Sequence, residues 1–221
     1  MPPWAAVEVD ILGMSDKKII IIAVILALIL IGAGWFYSKN KPSPAAVSNT
    51  QNSQTNSSQD KTPGIMIGDE KAPVTIEEYT NFLCSHCADF ALQTFPKIEE
   101  NYIKTGKVKI VIYVLPPLEL ARAGFCANQA GKFLEFNDYI FNHQADITRE
   151  DALLSAAKNM GLGDGFEQCY NSDLAKTAAQ DWYNKANEIK IEGTPTFYIN
   201  GQQIVGAQPY EEFQKIIDSK L

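Results

Sequence analysis

The sequence predicts an α/β domain: a sheet begun by a βαβ unit, interrupted by an inserted block of helices and then completed, with one transmembrane helix and a flexible linker ahead of it. Three observations predict it. Two strand-like runs, 74–79 and 107–115, flank a helix-periodic segment that opens on Cys84-Ser85-His86-Cys87, the order of a βαβ unit. Helical spacing then occupies residues of about 117–190, and strand-like runs return only at 196–199 and 203–205. Far upstream, residues 19–37 carry no charged side chain.

That uncharged run is rich in Ile, Leu, Val and Ala. At about 1.5 Å per residue it is roughly 30 Å long, the thickness of a bilayer core. Trp35, Phe36 and Tyr37 close it as interfacial aromatics, with Lys39 and Lys41 beyond. A cleaved signal peptide is the alternative, but its apolar region is usually about 7–15 residues, and no clear Ala-x-Ala site follows this one. The expectation is an uncleaved anchor: 1–18 cytoplasmic, 19–38 across the membrane, 39–63 linker and 64–221 the folded domain. Met14-Ser15-Asp16-Lys17-Lys18 would make a compact basic leader, with 1–13 an upstream extension. The linker is rich in Ser, Asn, Gln, Thr and Ala, so it buries too little apolar surface to offset its ordering entropy.

Within the domain, 65–67 reads as a short edge strand and 68–73 as a turn, followed by the strand 74–79. The helix opening near Cys84 is expected to reach about Thr105, kinked at Pro96 and stopped by Gly106. The next strand is closed by Pro116-Pro117. Helical spacing covers 120–142, 149–160 and 166–190, with Thr148 as an N-cap and Gly161 as a stop. Phe133, Phe136, Tyr139, Ile140 and Phe141 read as core of this layer rather than as a cofactor box. Asn200-Gly201 is a hairpin turn signal, and 209–220 is an amphipathic helix with Phe213, Ile216 and Ile217 on one face.

The chemistry lies in the cysteines. A helix N-terminus carries about half a positive charge and unpaired N–H groups, so it favours a thiolate placed there. Cys84 is therefore the candidate nucleophile and Cys87, one turn deeper, the resolving thiol. The His86 imidazole beside Cys84 is expected to donate to the sulfur or add positive charge. A better stabilised thiolate is a better leaving group, which makes the disulfide a stronger oxidant. Glu78 shares a strand face with Val74 and Ile76. In a central strand it would be a buried acid able to exchange protons with Cys87; in an edge strand it would be a solvated carboxylate. Cys126 and Cys169 remain as a couple, read as a structural disulfide closing a long loop. Free buried thiols and a second relay pair are the alternatives there. A zinc site combining all four cysteines is a further reading, disfavoured because Cys126 and Cys169 stand singly.

The chain of 221 residues has a net charge of −7. Nucleic-acid binding is not expected, since phosphate contacts need clustered Lys and Arg. Four cysteines, one pair in redox spacing, point to an oxidising compartment. Lys17 and Lys18 balance Lys39 and Lys41, so flanking charge does not orient the membrane helix. Disulfide donation is useful only where thiols are not held reduced, which places the domain outside the cytoplasm on a single-pass cell-membrane protein.

Asp69-Glu70-Lys71-Ala72-Pro73-Val74-Thr75-Ile76 leading to Glu78-Tyr79, the Cys84-Ser85-His86-Cys87 box, Gly131-Lys132-Phe133 and Gly193-Thr194-Pro195-Thr196-Phe197 form a specific combination. On these residues the domain from about Ile65 to Leu221 resembles the DsbA-like thiol:disulfide oxidoreductases of the thioredoxin superfamily. The resemblance implies a thioredoxin fold with an inserted helical subdomain, Cys84 attacking, Cys87 as its partner and His86 beside them. It implies Pro195 as a cis-proline facing the pair, Glu78 as the buried acid, and a substrate segment paired with the Thr194 backbone near Ser85. One departure is the middle dipeptide, Ser-His where Pro-His is commoner in the strongest oxidants. The function implied is oxidation of reduced extracytoplasmic proteins by a monomer that uses the cysteine pair alone, without metal or organic cofactor. A quinone-linked membrane reoxidase, DsbB-like or VKOR-like, would restore the disulfide. Two rivals are an isomerase or reductase on the same fold, which usually carries a dimerisation module, and a non-enzymatic thiol, metal-binding or client-holding module.

Overall fold

The computed structural model describes residues 61–147 and 149–221. The expected membrane helix, nearly all of the linker and the Thr148 cap lie outside the described residues. Among the described residues no helix is long and apolar enough to cross a membrane.

Five strands form one sheet: β1 (Ile65–Ile67), β2 (Val74–Thr80), β3 (Val108–Val114), β4 (Thr196–Ile199) and β5 (Gln202–Val205), in the order β1-β3-β2-β4-β5. β2 and β3 are parallel and every other pair is antiparallel. β2 is therefore central, with β3 on one side and β4 on the other. Val74, Ile76, Val108, Ile110 and Val114 are completely buried. Such apolar, β-branched runs suit strands covered on both faces.

The parallel pair needs a crossover, and the helix after Cys84 supplies it. This helix, α1, consists of abutting pieces Ser85–Asp89, Phe90–Thr94, Phe95–Ile98 and Glu99–Ile103. The second and fourth are wide turns, in which Phe95 N–H donates to Phe90 O and Lys104 N–H donates to Glu99 O. Pro96 lacks an N–H and crowds the preceding turn. The helix therefore runs through the proline between two widened turns.

The insertion consists of α2 (Leu118–Gln129), α3 (Phe133–Asn142), α4 (Glu150–Asn159), α5 (Asp164–Asn171) and α6 (Asp173–Glu188); α7 (Tyr210–Asp218) follows the hairpin. Two helices expected to be continuous are broken. Between α2 and α3, Gly131 takes φ +69° while its N–H and that of Lys132 return to Asn128 O and Ala127 O, a left-handed stop. Between α5 and α6, Ser172 is extended and its Oγ accepts the Ala175 N–H at 3.2 Å. The apolar periodicity continues across both breaks, which hides the caps from a pattern reading. The hairpin turns as expected, with φ +44° at Asn200 and +85° at Gly201.

α1 and α7 cover one face of the sheet. Phe90 and Phe213 pack on Phe197 of β4 with ring centroids 4.3 and 4.9 Å away. α6 covers the other face, where Lys185 donates to Tyr113 Oη at 2.7 Å and to Glu77 at 3.1 Å. The segment before β1 lies along α6: Thr62 donates to Asp181, and the Trp182 indole donates to Pro63 O at 3.1 Å.

Cys126 of α2 and Cys169 of α5 are joined in a disulfide across 43 positions. Loop closure of that length stabilises by about 4 kcal/mol in the chain-entropy model. Replacing both cysteines by alanine is expected to lower unfolding free energy by about that amount in urea titration. An unchanged midpoint would show that the bridge carries no stability.

Candidate active site

The buried strand β2 delivers its chain end to a short loop, and the loop delivers Cys84 to the start of α1. Cys84 sits at the N-cap with extended backbone angles, φ −87° and ψ 123°. Its N–H donates to Asn81 O at 3.0 Å, and its C=O accepts the Ala88 N–H at 3.1 Å. Asn81 organises the loop further: Oδ1 accepts the Leu83 N–H at 2.7 Å and Nδ2 donates to Pro116 O at 2.6 Å. From the insertion, Gln144 Nε2 donates to Phe82 O at 2.9 Å and to Cys84 O at 3.0 Å. Phe82 is fully buried and meets Phe136 and Phe141 of α3 edge-on. The nucleophile's backbone is thus tied to both halves of the domain. Asn81 and Gln144 escaped the sequence reading, because nothing in local pattern marks a contact across 60 positions.

The two thiols are free and occupy unlike surroundings. Cys84 is partly exposed and Cys87 completely buried. Burial by itself would raise the Cys84 pKa, but the Thr194 side chain, the Cys87 backbone and side chain and the His86 backbone N–H outweigh it and hold the thiol below its ordinary 9.0. When protonated, Cys84 Sγ donates to Thr194 O at 3.3 Å. Cys87 is pushed up to about 12 by burial, against weaker pulls from Thr80 and the Asn81 N–H. The latter donates to Cys87 Sγ at 3.4 Å.

His86 departs from expectation. Its side chain is 73% exposed and its Nδ1 lies 3.4 Å from Asp89 Oδ2, so the imidazole turns to solvent and to its own helix. What His86 brings to the Cys84 sulfur is its backbone N–H. Ser85 is exposed at the same helix end. Pro195 follows a cis peptide bond from Thr194, whose carbonyl meets the Cys84 thiol. The Pro195 loop is held by the Gly206 N–H donating to Pro195 O at 2.8 Å and by Thr196 Oγ1 donating to Gly193 O at 2.7 Å.

Glu78 lies in the central strand, 3% exposed, between Ile112 of β3 and Phe197 of β4 in register. The buried-acid alternative is the one realised. Burial raises its pKa to about 8, with Thr80 opposing weakly. Cys126 and Cys169 hold each other, which removes them from the zinc alternative.

A carboxyl whose folded pKa exceeds its unfolded value binds extra protons when folded, so its contribution to stability falls as pH climbs from 4.5 through about 8. Glu78→Gln is expected to stabilise the domain by up to about 3 kcal/mol at pH 7, at about 1.4 kcal/mol per pKa unit, and by little at pH 4. Paired urea titrations check this; an equal effect at both pH values would contradict it.

Comparisons with known proteins agree with this geometry. A family model described as Thioredoxin matches residues 60–219. A Rickettsia felis protein named as a protein-disulfide oxidoreductase is 27% identical over 167 residues, covering 71% of this chain and 60% of the relative, so this chain spans about three fifths of that relative's length. Disulfide bond formation protein D of Bacillus subtilis is 25% identical over 169 residues, covering 71% and 76%. The crystal structure of Wolbachia pipientis alpha-DsbA1 superimposes with a TM-score of 0.62 at 27% identity, covering 71% of this chain and 89% of that one. The chain is a member of the thioredoxin family and is similar within it to DsbA-like proteins.

Proposed function

We propose that this protein is a dithiol oxidase that donates a Cys84–Cys87 disulfide to reduced proteins outside the cytoplasm. The observation that carries the reading is the inequality of the two thiols: the accessible sulfur is the one favoured as an anion, and the buried one is favoured as a thiol. A reduced form stabilised in this way makes the disulfide form easy to reduce, which is the property of a donor.

A substrate thiolate attacks Cys84 Sγ, the Cys84–Cys87 bond breaks, and Cys87 leaves and is protonated. A second substrate thiolate then attacks the substrate sulfur of the mixed disulfide and releases Cys84 as a stabilised thiolate. Two electrons pass to the enzyme, and the cysteine pair suffices without metal or organic cofactor. Extended substrate would lie along the 193–195 loop, pairing with Thr194 and passing Ser85. Residues 19–38 would anchor the chain in the cell membrane with the domain outside. A quinone-linked membrane reoxidase, DsbB-like or VKOR-like, would return the pair to the disulfide, and the protein would act as a monomer.

Oxidative refolding of reduced ribonuclease by the full chain tests this reading. Catalysed disulfide formation is expected, with Cys84→Ser abolishing turnover and Cys87→Ala accumulating mixed disulfides. Equilibration with glutathione gives the direction: a potential well above that of thioredoxin is expected, and one close to thioredoxin's would make the protein a reductase. Client holding that survives Cys84→Ser, without catalysis in the unsubstituted protein, would instead favour a non-enzymatic module.

A further inference from the structure

Thr80 ends β2 with a hydroxyl that has no hydrogen-bond partner, although the residue is only 1% exposed. A buried polar group left in this state costs about 1–3 kcal/mol, so its position calls for a reason. Alternation along a strand puts residues two apart on one face. Thr80 therefore shares the face under α1 with Glu78, itself buried. The next residue, Asn81, donates its N–H to Cys87 Sγ at 3.4 Å, which fixes the sulfur against this same strand end. The hydroxyl makes no hydrogen bond in the dithiol form, but as a donor to their charged forms it would lower the proton affinity of both the Glu78 carboxyl and the Cys87 thiol. The register neighbours of Glu78 and Thr80 on this face are Ile112, Val114 and Phe197, all apolar. Among the described residues, the ionisable groups on which Thr80 acts are Glu78 and Cys87, with Cys84 beside the latter.

We propose that Thr80 is the proton relay between Glu78 and Cys87, its unpartnered hydroxyl giving a proton to the departing sulfur while accepting one from the carboxyl. This rests on the thiol-exchange reading above. As a substrate thiolate bonds to Cys84 Sγ, the electron pair of the breaking Cys84–Cys87 bond goes to Cys87 Sγ. That sulfur takes the Thr80 hydroxyl proton, and the Thr80 oxygen takes the Glu78 proton, so carboxylic acid and thiolate become carboxylate and thiol. During reoxidation the proton returns to Glu78. The Cys87 thiolate then attacks Cys84 Sγ in the mixed disulfide with the oxidising partner, whose thiolate leaves. A hydroxyl serves this purpose because it can donate and accept at once. Remaining unpartnered in the dithiol form keeps it free to turn either way.

The test is single-turnover reduction of the oxidised full chain by reduced glutathione from pH 5 to 9, followed by acid quench, thiol alkylation and mass measurement. Thr80→Val keeps the shape and removes the hydroxyl. It is expected to slow the reaction about tenfold or more near neutrality, a loss in keeping with removal of general acid–base assistance, and to erase the rate inflection belonging to Glu78. Thr80→Ser should restore both, and Thr80→Val should cost nothing further in a Glu78→Gln background. Loss of an orphaned hydroxyl should leave thermal stability equal or higher, and Thr80→Ala provides the same comparison should the valine variant fail to fold. Hydroxyl-free variants that react at the unsubstituted rate with the inflection intact would overturn the relay, as would an equal loss with and without Glu78. Failure of the unsubstituted chain to exchange with glutathione at all would instead remove the thiol-exchange reading on which the relay rests.

Discussion

One sulfur kept from water beside another set at a helix end is the constraint on which the rest of the structure depends. An ionised thiol is cheap where N–H groups point at it and costly where only apolar atoms surround it. A helix start alone would supply only the first condition. The second requires that the next turn of the same helix press into the sheet, and α1 does this over the central strand, where Cys87 is completely buried. The antiparallel return of β4 then brings Thr194 and Pro195 across from Cys84. The sheet order, the crossover and the proline loop thus all serve one separation of environments.

The insertion does more than enlarge the core. Its Gln144 supplies donors to the carbonyls on either side of the loop carrying Cys84, and its Phe136 and Phe141 bury Phe82 in that loop. Gly124 of α2 passes so close that a methyl group there would meet Phe82 and Val114 at 3.3 Å. Loop geometry is therefore specified from both sides, as an exchange reaction needs: attacking, central and leaving sulfurs must approach a line, and preorganisation contributes to rate through that alignment.

Features set by local rules were legible in the sequence. The buried run of β3, the Asn200-Gly201 hairpin, the stop at Gly106 with φ +73° and the cysteine box at a helix start all follow from residues within a few positions of one another. Glu78 was ambiguous because centrality is a property of pairing partners, and only the flanking positions of β3 and β4 make its face an interior. The caps at Gly131 and Ser172 stayed hidden because helical periodicity ran on through them. The His86 imidazole could not be placed because the choice between the Cys84 sulfur and Asp89 is made by side-chain rotation, about which spacing is silent. Asn81, Thr80 and Gln144 carry no motif; their importance lies in hydrogen-bonding capacity that means something only once the sheet and insertion meet.

The central claim is that two cysteines three positions apart have opposite preferences for charge. Thiolate absorbance of the reduced full chain, followed against pH with Cys84→Ser and Cys87→Ser variants to assign the transitions, measures this directly. Cys84 should ionise below the ordinary 9.0 of a thiol while Cys87 stays protonated to about 12. Two thiols titrating together near the value of free cysteine would contradict the account.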